Sequence, residues 1–375
     1  MYINFWYPVA KSEDIVTYEP HRTQLLGQQL IAFRDSAGGA HVLSDVCIHR
    51  GGALGKGWVR GDTVVCPYHG WQFAGNGKCT HIPTLDDEQV PARAKVDSYP
   101  VQEKYGIVFA FLGDLPEEER PPLCEIEEYG KAGWRANKLL VFELKAFYER
   151  SIENGLDPSH NEFVHPAQGS PGMNPDFRKK PLVMEDGPWG SQFLVQMENK
   201  PTETRALSDV TDFVADVTAG SGFIGPNQMI TWIRFSEDNM FHQYFLEAPI
   251  DENHTRIFFI NMRTFMLQPE NDGRLLKVNS IVAQEDIDIL ESLDPVGTPG
   301  NPTEEVLVPS DGAVMSYRKY LKKWSDNGWR IDMGTLRAER QNRAYAIPCP
   351  DRRTSGNWVL NSVPLGTPDK KSKAA

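Results

Sequence analysis

The chain has 375 residues, 40% of them hydrophobic and 24% charged, with a net charge of -12. That length holds two or three domains with sizeable cores. The acidic balance argues against nucleic acid or an acidic membrane as partner, and the chain lacks the roughly 18-residue apolar run that a membrane-spanning helix needs.

The start, Met1-Tyr2-Ile3-Asn4-Phe5-Trp6-Tyr7-Pro8-Val9, has no basic or long apolar leader region, so no signal peptide is expected. Cys47, Cys66, Cys79, Cys124 and Cys349 are odd in number and scattered, which does not read as a disulfide framework. A reducing cytoplasm is the expected location.

Residues 1–115 read as short strands separated by turns, with hardly any helical periodicity. Gln29–Phe33, His41–Leu43, Thr63–Val65 and Gly106–Leu112 are strand candidates. Ala37-Gly38-Gly39, Gly61-Asp62 and Gly75-Asn76-Gly77 are turn signals between them. The expectation is a small all-β module with functional hairpin tips.

Two short arms lie in this module: Cys47-Ile48-His49, and Cys66-Pro67-Tyr68-His69-Gly70-Trp71. Each supplies one thiolate and one imidazole. A [2Fe–2S] cluster needs four such ligands, and two His in place of two Cys raise its potential. Zinc is the competing reading, but zinc fingers usually pair Cys with Cys and His with His in their arms. A chance cluster in a packed core is the other. Gly51, Gly52, Gly55, Gly57, Gly61 and Gly70 argue against it, because glycine lets backbone turn sharply and come close. Cys79-Thr80-His81 has no second arm, and Cys79 reads as a buried free thiol.

CIHRGG followed by CPYHGW resembles the cluster-binding signature of the Rieske oxygenases. Phe5-Trp6-Tyr7-Pro8-Val9 and Tyr99-Pro100-Val101-Gln102-Glu103 are similar to that family as well. A small Rieske ferredoxin carries the same signature, so the remainder of the chain decides between them.

Residues 116–130 are charged and proline-rich and read as a linker. Residues 131–362 form a second domain. Lys138–Glu143, Ser191–Met197, Met229–Phe235, Phe241–Glu247 and Thr255–Arg263 are its strand candidates. Helices are expected over Lys145–His165, Leu275–Leu293 and Val314–Asn327, with a long loop from Asp294. This mixture is α+β, an antiparallel sheet with helices packed on it. Residues 363–375 read as a disordered tail.

The second domain opens with Glu153-Asn154-Gly155-Leu156-Asp157-Pro158-Ser159-His160-Asn161-Glu162-Phe163-Val164-His165. Two imidazoles and one carboxylate make a facial triad that leaves positions on Fe(II) open to O2. His160 and His165 diverge by roughly 140° on an ideal helix, so the helix must kink or end between them, and Pro166 favours an ending. The third ligand is sought on the late helix. Val282, Asp286, Ile289, Leu290 and Leu293 form one stripe, and Ile281, Glu285, Asp288 and Ser292 a polar one. An Asp on an apolar stripe is costly without a metal or partner, which selects Asp286 and leaves Glu285 and Asp288 as solvated.

The pattern is similar to the catalytic iron site of Rieske oxygenases, so the resemblance covers nearly the whole chain. It implies an N-terminal all-β Rieske domain and a C-terminal helix-grip catalytic domain. It implies a [2Fe–2S] cluster on Cys47, His49, Cys66 and His69, and Fe(II) on His160, His165 and Asp286. It places Asp157 and Asn154 in the catalytic machinery, Asp157 bridging His160 to His69 of a neighbouring subunit in a homotrimer. Helix capping ahead of Pro158 is the plainer reading of Asp157.

Electrons from NAD(P)H then arrive through a separate ferredoxin or reductase, since no G-x-G-x-x-G follows a strand here. O2 is cosubstrate for hydroxylation or O/N-demethylation of an aromatic or other cyclic small molecule, with ring dihydroxylation as the alternative. The chain resembles the homotrimeric branch of vanillate and dicamba demethylases, carbazole dioxygenases and ketosteroid hydroxylases. Glu153–His160 and Pro249–Asn253 lean toward the carbazole type. A different class remains open: an electron carrier fused to a binding module, with no metal on His160, His165 and Asp286. Position in the fold suggests Phe147, Phe223, Asn227, Trp232, His242 and Arg263 as substrate walls. Arg234, Arg256 and Arg263 are candidates for a substrate carboxylate.

Overall fold

The computed structural model describes residues 1–165, 181–197 and 217–367. The chain divides into two compact units, one of residues 1–122 with 323–375, the other of residues 123–322. The sequence had joined residues 323–362 to the second domain. Of the expected tail, residues 368–375 lie outside the described residues, while Val363 is buried and Leu365 bridges to Ile331.

The first unit is built of small antiparallel sheets. Phe5–Lys11 pairs with Ile107–Leu112, which pairs with Val101–Lys104. His21–Leu25, Gln28–Arg34, Ala40–Ser44 and Ser98–Tyr99 form a second sheet. Its first hairpin turns on Leu26 and Gly27, both at positive φ, the geometry that matches strand twist in a two-residue loop. Trp58–Arg60, Thr63–Val65, Gln72–Ala74 and Cys79–His81 make the third. Ile31, Phe33, Leu43, Leu54, Val64 and Phe73 pack between these sheets around Cys47 and Cys66.

The returning segment closes this unit. Trp324 is fully buried and meets Phe5 edge-on at 4.7 Å. Arg352 donates two hydrogen bonds to the buried Asp97 carboxylate, at 2.6 and 2.8 Å. Lys95 sits 4.0 Å over the Trp358 ring.

The second unit is one large antiparallel sheet with helices on one face. Its order is Arg135–Ala136, Thr255–Arg263, Met240–Pro249, Gln228–Arg234, Val217–Ile224, Gly190–Met197 and Glu185–Asp186, with Leu140–Leu144 also paired to Thr255–Arg263. The helices are α1 (Tyr148–Leu156), α2 (Asn161–Val164), α3 (Asp272–Leu290) and α4 (Gly312–Asp326).

Strand alternation sorts the side chains. Met229, Phe245, Glu247 and Ile257 share the helix-bearing face. Leu144, Ala146, Ile257 and Leu290 pack there with Phe142, Phe245, Ile287 and Leu293. Gly155 brings α1 against the sheet, since a Cβ at that position would lie 2.2 Å from Met229 Sδ. Arg318 on α4 grips Glu153 on α1 through two bonds of 2.6 and 2.8 Å, and Glu305 ties Arg318 to Arg150. Asp272, at the start of α3, takes Arg135 and Arg263, which hold its carboxyl down at about 2.

Candidate metal centres

The two Cys/His arms fold alike. The Cys47 carbonyl accepts from Gly51 N–H and the Cys66 carbonyl from Gly70 N–H, each at 2.9 Å. In return the Cys47 amide donates to Gly52 and the Cys66 amide to Trp71, each at 2.8 Å. Both closing glycines are left-handed, φ +71° and +72°, a conformation that strains a residue with a Cβ. A Cβ on Gly52 would stand 3.2 Å from Cys66 Sγ, so this glycine clears space beside the sulfur.

The twin turns bring four donors to one place. The Cys47 thiol hydrogen-bonds to Cys66, which pushes the Cys66 pKa down to about 6 and that of Cys47 up. The His49 and His69 rings lie 4.4 Å apart, and Trp71 stacks on His49 at 4.5 Å. His49 Nδ1 is buried with no hydrogen-bond partner. Burial, with His69 nearby, keeps that ring below its ordinary pKa, in the neutral form that binds metals. Two cysteine sulfurs and two imidazoles, one of them with an orphaned buried nitrogen, are the donor set a Rieske cluster requires. Cys79 is also buried, its thiol pushed up to about 11, as expected of a packed neutral thiol.

The second centre begins where α1 ends. The expected helix over Lys145–His165 is broken at Asp157-Pro158. Asp157 is extended, ψ 107°, and its Oδ1 accepts from Ser159 N–H at 2.7 Å. Pro is poorly tolerated inside a helix, and an Asp side chain offers the backbone an alternative partner. His160 then caps α2, a single turn, and His165 stands just beyond it at ψ 69°. The 140° divergence is thus relieved by ending the turn at Val164. Pro166 lies outside the described residues.

His160, His165 and Asp286 converge, with donor atoms within 4.8 Å of one another. His165 Nε2 lies 3.2 Å from His160 Nε2 and 3.2 Å from Asp286 Oδ1. His160 Nε2 lies 3.6 Å from the same oxygen. Two ligands at right angles, each about 2.1 Å from a metal, are about 3 Å apart, so three mutual distances near this value fit one face of an octahedral ion. Burial lowers the His160 pKa against the pull of Asp286. For His165, burial is outweighed by Asp286 and Glu285, which raise it.

The surrounding polar groups orient these ligands. Asn154 Nδ2 donates to Asp286 Oδ1 at 2.8 Å. His160 Nδ1 bonds the main-chain carbonyl of Asp157. Glu285, expected to be solvated, instead lies 3.0 Å from His165 Nδ1. Asp288 is exposed and accepts from Gln284.

The suggested substrate walls are dispersed. Trp232 and His242 pair across the sheet on the face opposite Met229, away from α1. There His242 bonds the buried Glu128, which also accepts from Tyr244. Arg263 is fully buried and committed to Asp272, Asn137 and the Met266 carbonyl. Arg256 is committed to Glu143. Asn227 donates to the Glu247 carbonyl, Phe223 packs on Tyr317 and Tyr320, and Phe147 meets Tyr148 edge-on.

Comparison with known proteins places both parts of the chain in one family. Residues 5–100 match the Rieske [2Fe-2S] domain, and residues 144–327 the vanillate O-demethylase oxygenase C-terminal domain. The oxygenase component of 3-ketosteroid-9-alpha-monooxygenase from Rhodococcus rhodochrous is 30% identical over 76% of this chain and 69% of its own. Methylxanthine N1-demethylase NdmA from Pseudomonas putida is 27% identical over 85% of this chain and 88% of its own. The crystal structure of dicamba monooxygenase, 21% identical, shares the fold with a TM-score of 0.72 over 86% of this chain and 96% of its own. Among the described residues no helix is long and apolar enough to cross a membrane. The chain belongs to the Rieske non-haem iron oxygenases, as a terminal oxygenase component that carries a Rieske cluster and a mononuclear iron and uses O2 with electrons from a separate reductase or ferredoxin.

Proposed function

We propose that this oxygenase component is a monooxygenase that hydroxylates or demethylates a cyclic small molecule, with its cluster on Cys47, His49, Cys66 and His69 and its iron on His160, His165 and Asp286. The observation that carries the reading is the convergence of two imidazoles and one carboxylate at 3.2–3.6 Å in a chain that also holds two Cys/His arms. When bound, the cluster supplies single electrons and the iron supplies O2 activation.

The protein's own part is to fix the donors. The twin turns hold both sulfurs and both rings of the cluster site. The ends of α2 and the body of α3 present the triad, with Asn154 of α1 holding Asp286. A methylxanthine demethylase and a 3-ketosteroid monooxygenase among the relatives support a ring substrate and monooxygenation rather than ring dihydroxylation. The substrate would lie between α3 and the helix-bearing face of the sheet, where Phe245 and Phe259 offer aromatic surface.

The assembly we propose is a homotrimer in the cytoplasm, each Asp157 facing His69 of a neighbouring subunit in a head-to-tail ring. Asp157 suits that place. It sits half-buried at a helix end, and its backbone carbonyl already holds the far nitrogen of His160.

The test is metal analysis beside a substrate screen with reductase supplied, scored by oxygen-dependent product. The expected content is about three irons per chain, two in the cluster and one on the triad. A content of about two irons, with no oxygenated product, would leave the electron-carrier reading instead.

A further inference from the structure

We infer that Glu285 is a positioning residue for the mononuclear iron: it holds His165 by the ring nitrogen turned away from the metal and supplies the second negative charge that a buried Fe(II) site needs. The inference rests on the triad assignment proposed above. It concerns a residue that the helical pattern had assigned to solvent.

The geometry is specific. His165 is 2% exposed, and both of its nitrogens are engaged. Nε2 lies among the triad donors, 3.2 Å from Asp286 Oδ1, and Nδ1 lies 3.0 Å from Glu285 Oε2. Consecutive helix residues project about 100° apart, so Glu285 and Asp286 cannot both face one ion. They straddle the imidazole, one carboxylate at each nitrogen. A carboxylate on the outer nitrogen fixes the tautomer and the ring plane and makes the inner nitrogen a stronger ligand.

Charge gives the same answer. Fe(II) with Asp286 alone leaves one positive charge uncompensated beside a buried ring, which is costly in a medium of low polarity. The Glu285 carboxylate cancels it without occupying a coordination position. The two imidazoles thereby become unequal. His160 leans on a neutral acceptor, the Asp157 carbonyl, whereas His165 leans on an anion. His165 would thereby be the stronger donor of the pair to a bound Fe(II).

The experiment uses the full chain with its cluster in place. The mononuclear iron is removed with a chelator and Fe(II) is titrated back. Glu285→Gln keeps the shape and removes the charge, Glu285→Ala removes both, and Asp288→Asn controls for a charge change on the same helix. The Gln and Ala variants are expected to bind Fe(II) 10–100-fold more weakly, the range seen when such outer partners are lost. Cluster absorption should stay unchanged, and the paramagnetic resonance signal of the nitric oxide adduct should change its rhombicity. Wild-type affinity and an unchanged adduct signal in both variants would overturn the role of Glu285. Asp286→Asn is titrated in parallel. If it too binds Fe(II) like the wild type, the triad assignment itself fails. If it loses Fe(II) while Glu285→Gln does not, only the role of Glu285 fails.

Discussion

Asn154 and Asp286 are joined across two helices: the Asn154 amide donates to Asp286 Oδ1 at 2.8 Å, the oxygen that both histidine Nε2 atoms face. α1 therefore contributes to the proposed iron site without supplying a ligand. Asn154→Ala should free the Asp286 side chain and weaken Fe(II) retention by roughly 10-fold or more. Cluster content should be unaffected. Iron analysis after dialysis against a weak chelator reads the difference.

The carboxylates of α3 are expected to separate cleanly. Asp286→Asn replaces the proposed anionic ligand by a neutral one and should lose the mononuclear iron while keeping the cluster and the fold. Asp288 is exposed and accepts a hydrogen bond from Gln284, so Asp288→Asn should stay within about 0.5 kcal/mol of wild-type stability and keep all its iron. The reverse pattern would mean that the ligand has been misplaced by one half-turn.

Asp157→Asn tests the link between subunits. Its carboxylate accepts from Ser159 N–H, a bond that the Asn side-chain oxygen can still make, so the turn should survive. Both metal sites should stay loaded. Electron transfer from reduced cluster to product should slow by 10–100-fold or more, as for lost outer partners. Single-turnover product formation equal to wild type would remove Asp157 from the path.

His69→Cys addresses the cluster potential. The His69 ring lies 4.4 Å from His49, on the turn that closes at Gly70. Imidazole ligation raises the potential of these clusters, so a third thiolate should lower it and halt turnover while the protein stays folded and coloured. Redox titration gives the answer directly.

Glu247 predicts a pH dependence unrelated to the metals. The residue is fully buried, neither carboxyl oxygen has a well-formed hydrogen bond, and burial lifts its pKa to about 8. A carboxyl raised above its unfolded value of 4.5 keeps its proton when folded and loses it when unfolded. Stability is then full below pH 4.5 and falls as pH rises towards 8, by at most about 1.4 kcal/mol per pH unit. Glu247→Gln removes the titration. Melting of both proteins at about pH 6 and about pH 8 should show the variant gaining on the wild type at the higher pH.

The proposed donors of both centres could be read from the sequence because all but Asp286 lie on local motifs. Two tight turns and one broken helix each bring their donors together over a few residues. Asp286 emerged from the helical stripe, although Ile289 of that stripe is 45% exposed. Glu285 was missed because a wheel assigns residues to faces by backbone angle alone. A Glu side chain is long enough to reach around from the polar flank and take His165. Two of the suggested substrate walls lie apart from the triad for a related reason. Trp232 and His242 are aromatic and well placed along the sheet, but their strand parity turns them to the face away from α1. Residues 323–362 gave no signal of their return to the first unit, since Trp324 meeting Phe5 and Arg352 meeting Asp97 are pairings between distant parts of the chain.

That return has a consequence for biosynthesis. The catalytic unit is inserted in the chain between the two parts of the cluster-bearing unit. During translation the ribosome releases the strands and the Cys/His arms first, then the entire catalytic unit, and only at the end Trp324, Ile347 and Arg352, which complete the packing around Phe5, Tyr99 and Asp97. Vectorial synthesis ordinarily lets an N-terminal domain finish before the next begins. Here the first unit to emerge is the last to be finished, because its packing is complete only once the returning segment from residue 323 has been made.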